Sequence, residues 1–164
     1  MPQTKEKPER QSAPIERGRH VSGVTLRALS ADTSSEGLLR LLVVDDEPAI
    51  RHMLVRALSA QYRVHATDAA GALAALGDGN QFDAMLTDVS MPIVNGVMLF
   101  QAVEELSPSL AGRTIMMSGG ADAVANDFIT RKKISLLSKP FSLQALRAIL
   151  RSICAEPANA PTSS

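Results

Sequence analysis

The chain has 164 residues, 45% of them hydrophobic and 3% aromatic, which fits one ordinary domain with an aliphatic core. Seventeen basic residues offset seventeen acidic ones, so no global charge footprint points to nucleic acid or an anionic membrane. One cysteine, Cys154, excludes an internal disulfide or a cysteine-based metal cluster, and the charged, proline-bearing start lacks the apolar stretch of a secretion signal. Apolar runs such as Leu41–Val44 are far too short to cross a bilayer. A soluble, cytoplasmic protein with a reduced thiol is expected.

Residues 1–37 mix Lys, Glu, Arg, Pro, Ser and Gly without clear periodicity and bury too little apolar surface to offset their ordering entropy. They read as a disordered arm, with Val21–Leu29 the one stretch apolar enough to order transiently. Residues 38–154 read as the folded domain, and 155–164, with Pro157 and Pro161, as a flexible tail. Leu39–Val44 is a short apolar run that stops at Asp45-Asp46, as a buried parallel strand would. Pro48 suits the first turn of a helix, and Ile50, Met53, Leu54, Ala57 and Leu58 then share one helical face, with Arg51 and Arg56 off it. Tyr62–Ala66 alternates like a strand. Asp68 can cap a helix through Leu76, which Gly77–Asn80 breaks.

Phe82–Thr87 is the third strand and ends at Asp88; a loop through Met91-Pro92 and Asn95-Gly96 leads into a helix over Val97–Leu106. Thr114–Met117 is a fourth strand ending at Ser118-Gly119-Gly120, and Ala121–Thr130 a weaker helix. Ile134–Leu137 is a fifth strand before Ser138-Lys139-Pro140. A terminal helix capped by Ser142 carries Leu143, Leu146, Ile149, Leu150 and Ile153 on one face. Strand and helix alternate five times, which implies an α/β fold with a parallel sheet covered on both faces.

The polar residues gather at strand ends. Asp45 and Asp46 follow the first strand, Asp88 the third, Ser118 the fourth and Lys139 the fifth. Ligands of an open parallel sheet bind outside the carboxyl ends of the strands, where the strand order reverses. Residues far apart in sequence are therefore expected on one rim. Three carboxylates brought together repel unless a cation offsets them. Oxygen-rich sites that keep waters and meet a phosphate suit Mg²⁺. Lys139 and Ser118 add donors for a phosphoryl group. Taken singly, Asp45-Asp46-Glu47 could cap a helix, Asp88 could be a turn residue, and Ser118-Gly119-Gly120 a plain loop. Their joint placement on successive strand ends favours a phosphate site.

The stretch from Leu39 to Ile153 resembles the response-regulator receiver family of two-component signalling. Four segments carry the resemblance: Leu-Val-Val-Asp-Asp-Glu-Pro (42–48), Leu-Thr-Asp-Val-Ser-Met-Pro (86–92) with Asn95-Gly96, Met-Ser-Gly (117–119) and Ser-Lys-Pro-Phe (138–141). It implies a three-layer α/β/α, flavodoxin-like (βα)5 fold with strand order 2-1-3-4-5. It carries Asp88 over as the phosphoacceptor, Asp45 and Asp46 as the acidic pair, and Ser118 and Lys139 as the hydroxyl and the lysine. Mg²⁺ is the implied cofactor, touched by Asp46, Asp88 and the Ser90 backbone carbonyl and reached by Asp45 largely through water. A cis peptide before Pro140 is also implied. The implied donor is a histidine kinase or histidine phosphotransfer protein, and the target a further protein. No nucleic acid or membrane is expected, and the chain should be a monomer or weak dimer. A receiver without a fused output domain is expected, one that slowly dephosphorylates itself and is not a dedicated turnover enzyme.

Leu136 departs from the family, which commonly has Tyr or Phe three residues before the lysine. Rearrangement around that position is therefore expected to be modest. Ser90 and Gly120 occupy positions that tune dephosphorylation in the family, and their small size leaves water access open. The Ser-Gly-Gly and Lys-Pro-Phe-Ser versions look like those of receivers attached to hybrid sensor kinases. A phosphorylation-independent docking module would keep the same fold, and Leu136 leaves that alternative open. A haloacid-dehalogenase type of enzyme would want a second aspartate two residues after the nucleophile, where Ser90 stands.

Overall fold

The computed structural model describes residues 37–120 and 123–155 of the chain. The expectations for the arm, except Gly37, and for the tail beyond Ala155 lie outside the described residues. Within them the order is β1 (Arg40–Val44), α1 (Pro48–Leu58), β2 (Arg63–Thr67), α2 (Ala69–Gly77), β3 (Ala84–Asp88), α3 (Gly96–Leu106), a single turn α4 (Pro108–Ala111), β4 (Thr114–Ser118), α5 (Ala123–Lys132), β5 (Ser135–Ser138) and α6 (Leu143–Ala155). The five strands are parallel and stand in the order β2-β1-β3-β4-β5.

Alternation along β1 divides the core. Leu41 and Val43 point into one apolar layer with Leu54 and Leu58 of α1 and Leu146 and Leu150 of α6. Leu42 and Val44 point into the opposite layer, with Ala72 of α2, Leu99 and Val103 of α3 and Ile129 of α5. Successive side chains of a strand face opposite ways, so an unbroken apolar run is what a sheet covered on both faces requires. Burying each such aliphatic side chain contributes roughly 1.5–3 kcal/mol. Phe100 and Phe128 join α3 to α5 edge to face at 5.8 Å between centroids, and Lys132 of α5 pairs with Glu104 of α3 at 2.8 Å.

The strands sit slightly later than expected, so Asp88 and Ser118 are the last residues of β3 and β4 rather than the first loop residues. The turn α4 was not foreseen. Pro108 opens it, Leu110 and Ala111 are buried, and the Thr114 hydroxyl donates to the Leu110 carbonyl at 3.0 Å. Among the described residues no helix is long and apolar enough to cross a membrane.

Candidate functional site

Strand order reverses between β1 and β3: β1 leads across α1 to β2 on one side, and β3 lies on the other. The carboxyl ends of β1, β3, β4 and β5 meet beside that crevice, where ligands of such sheets bind.

Asp45, directly after β1, is fully buried. Its amide donates to the Thr67 carbonyl at 3.2 Å, and its Oδ1 accepts from the Glu47 amide at 2.9 Å. Oδ2 is buried without a hydrogen-bond donor; the Lys139 ammonium stands 3.5 Å away, a charge contact rather than a formed bond. Burial pushes the Asp45 carboxyl above the usual carboxylate range, and the charges of Asp88 and Asp46 push the same way. The Glu47 amide and Lys139 pull it back in part.

Asp88 is 7% exposed at the end of the wholly buried β3, with Oδ1 3.1 Å from the Lys139 ammonium. The backbone around it is pinned. The Val89 amide donates to the Met117 carbonyl at 2.9 Å, and the Gly96 amide to the Val89 carbonyl at 3.0 Å. Gly96 itself lies so close that a Cβ there would strike the Asp88 carbonyl and come within 2.9 Å of the Val89 Cα. Asn95 then caps α3, its side chain accepting from the Met98 amide at 2.9 Å. Between these points the loop turns sharply at Ile93, an exposed β-branched residue at a φ of +67°, and the Val94 amide donates to the Pro92 carbonyl at 2.7 Å. Met91, Pro92 and Val94 line an open groove of about 230 Å³ shared with Asp46 and Asp68.

Lys139 reaches the rim from the end of β5, its amide donating to the Ser118 carbonyl at 2.6 Å. The Lys139–Pro140 bond is cis, as expected. Burial pulls the ammonium down, but its hydrogen bond to Asp88 and the charges of Asp88 and Asp45 outweigh it, so the net shift is upward and the group stays charged. Ser142 caps α6, accepting from the Ala145 amide at 3.1 Å. Ser118 is buried at the end of β4, and its hydroxyl accepts from the Gly120 amide at 3.2 Å.

Asp45, Asp88 and Lys139 are thus brought into one contact set, with Ser118 on the adjoining strand end. Asp46 is only a neighbour: its side chain is exposed, and its charge is felt at Asp45. Ser90 stands exposed two residues after Asp88. Among the described residues no three carboxylate, imidazole or thiol groups converge closely enough to make a ready metal cage. The Lys139 ammonium offsets the mutual repulsion of two of these anions, Asp45 and Asp88. One contributor went unseen in the sequence. The Arg51 guanidinium donates to the Asp45 carbonyl at 2.6 Å and the Asp46 carbonyl at 3.1 Å.

A five-stranded parallel sheet with buried acids and a lysine on one rim is the arrangement expected of a receiver of two-component signalling. The chain belongs to that family: the sequence profile of the response regulator receiver domain matches residues 41–151. Sensor kinase CckA of Brucella abortus is 34% identical over 123 residues, covering 73% of this chain but 13% of that protein. The response regulator receiver protein CpdR of the same organism is 34% identical over 110 residues, covering 65% of this chain and 89% of CpdR. A crystal structure of a CheY-like receiver domain protein from Methanospirillum hungatei superposes with a TM-score of 0.66 at 26% identity, covering 72% of this chain and 94% of the other. The chain therefore spans only a small part of the sensor kinase it matches.

Proposed function

We propose that this receiver takes a phosphoryl group on Asp88 from a phosphohistidine donor, a histidine kinase or histidine phosphotransfer protein, and signals by a change of conformation. The observation that carries the reading is the Lys139 ammonium set 3.1 Å from Asp88 and 3.5 Å from Asp45 at the strand ends.

The carboxylate of Asp88 attacks the phosphorus, its O–P bond forms, and the P–N bond to the donor imidazole breaks. Lys139 stays charged through its acidic neighbours and is placed to meet the incoming phosphoryl oxygens with a short, charge-assisted hydrogen bond. Ser118, at the end of β4, supplies a hydroxyl to the same oxygens. The loop pinned by Val89 and Gly96 holds the attacking carboxylate in place, which is most of what a loose, in-line phosphoryl transfer asks of a protein.

The donor set fits a hard divalent cation. Asp45 Oδ2 is buried with no hydrogen-bond donor, and the Asp46 carboxylate and the Ser90 carbonyl, both on exposed residues, would add only oxygen. Mg²⁺ is commonly held by one or two carboxylates plus waters and phosphate. Asp46, Asp88 and the Ser90 carbonyl would hold it, with Asp45 acting through water. When bound, it would neutralise charge between the two anionic reactants.

Drawing Lys139 and Ser118 toward the phosphoryl group displaces the ends of β4 and β5 and with them α5. A switch from 1:99 to 99:1 needs about 5.5 kcal/mol of differential stabilisation, within reach of a few charge-assisted bonds and a cation. The test is intact mass after acetyl phosphate or phosphoramidate with Mg²⁺, beside Asp88→Asn. One added phosphoryl group in the parent and none in the variant is expected. An unmodified parent would refute the reading and favour a phosphorylation-independent docking module.

A further inference from the structure

The β1–α1 loop carries both members of the acidic pair, yet little in its own sequence holds it. Pro48 has no amide hydrogen to offer, and Glu47, at the cap position of α1, makes no side-chain capping bond. The Asp45 amide and carboxylate each make one bond to the main chain, to Thr67 and Glu47. Arg51 supplies the rest. From the first turn of α1 its Nη1 turns back over the loop and donates to two successive carbonyls, those of Asp45 at 2.6 Å and Asp46 at 3.1 Å. A cation in the first turn opposes the helix dipole, so this is an expensive place for an arginine with no other task. Among the described residues it forms no ion pair with a carboxylate; its partners are carbonyls.

We infer that Arg51 is a positioning residue: by clamping the carbonyls of Asp45 and Asp46 it fixes the two peptide units that flank Asp46, and so aims both carboxylates at one divalent cation. The inference rests on the proposed Mg²⁺ role of that pair. Carbonyls held by a guanidinium resist rotation, which restrains the Cα–Cβ bond of Asp46 between them and that of Asp45 beside them. Lysine can bring its charge to the same place but offers a single ammonium head in place of the rigid fork.

The test uses the full chain and Mg²⁺ alone, without phosphodonor, followed by backbone amide NMR or calorimetry. Arg51→Gln should weaken Mg²⁺ binding about tenfold, Arg51→Lys about threefold, and Arg56→Gln, which removes a charge from the exposed last turn of α1, should leave it unchanged. A second readout needs no metal: hydrogen exchange at the Glu47 amide should accelerate several-fold in Arg51→Gln and little in Arg51→Lys. Should the glutamine variant fold poorly by circular dichroism, the lysine variant decides alone. Mg²⁺ affinity within a factor of two of the parent in the deciding variant, or an unchanged Glu47 amide in Arg51→Gln, overturns the positioning role. Absence of Mg²⁺ binding by the parent itself would overturn the metal reading and this inference with it, a failure visible before any variant is made.

Discussion

Replacing Lys139 with methionine keeps the apolar stem and removes the charge that stands 3.1 Å from Asp88 and 3.5 Å from Asp45. At an effective dielectric of about 20, each contact carries roughly 5 kcal/mol of bare attraction. Most of that offsets the desolvation of the three groups. Truncating one partner of a fully buried pair costs about 3–5 kcal/mol, because the remaining charge is left uncompensated. The Lys139 side chain keeps 25% of its surface in water, against 0% for Asp45, so solvent replaces part of the loss. We expect Lys139→Met to destabilise the metal-free protein by about 2 kcal/mol. Asp45→Asn should be nearly neutral in the parent, since it removes the attraction and the buried charge together. In the Lys139→Met background it should restore about 1 kcal/mol or more. Urea denaturation at neutral pH in EDTA measures all four corners of this cycle. Additivity within about 0.5 kcal/mol would show that the ammonium and Asp45 do not interact, contrary to their 3.5 Å contact.

Gly96→Ala places a Cβ 2.9 Å from the Val89 Cα, against backbone that cannot move aside, and should cost about 2 kcal/mol or more in urea denaturation while slowing phosphoryl uptake at Asp88; an alanine tolerated within about 0.5 kcal/mol would contradict the close packing. Burial pushes the Cys154 thiol up, the charge of Asp83 adds to this, and Arg113 opposes it. The folded pKa exceeds the unfolded one, so the linked stability is full below the ordinary thiol pKa and is lost as pH rises through the raised value. A thiolate-selective reagent at pH 8 should therefore label native protein slowly and urea-unfolded protein quickly, and equal rates would refute this. Leu136 lies on the edge strand β5, 40% exposed, without the ring that commonly turns inward on activation in this family. Structures with and without beryllofluoride should differ little around it, and a large movement there would be contrary.

The division between what was legible in the chain and what was not follows the range of the forces involved. Leu41–Val44 could be read as a doubly buried strand because each residue of an unbroken apolar run needs a layer to face, and two layers are present. Asp45, Asp88 and Lys139 could be brought together in advance because parallel topology forces the carboxyl ends of strands onto one edge. The turn over Pro108–Ala111 is too short to show any period, and only Pro108 marks it. Arg51 was hidden for another reason. A helical wheel says which way a Cβ points and nothing of a long side chain that doubles back beyond the helix end to meet main-chain carbonyls, which have no signature in sequence. Charge counting foresaw repulsion among the acids and a cation to offset it, but not that the Lys139 ammonium stands against both Asp88 and Asp45.

That relief bears on the switch. Lys139 sits nearer Asp88 than Asp45, and its hydrogen bond to Asp88 is the strongest pull holding it charged. Asp45 is the less satisfied partner, with one oxygen accepting from the Glu47 amide and the other lacking a donor. A divalent cation held by Asp46, Asp88 and the Ser90 carbonyl, as proposed, would reduce the share of the ammonium's attraction that belongs to Asp45. Lys139 would then be freer to follow Asp88 and a phosphoryl group joined to it. The deficit at Asp45 is in this view useful: a perfectly paired Asp45 would hold the lysine back from the phosphoryl group, and a rim already neutral would give a divalent ion little reason to bind.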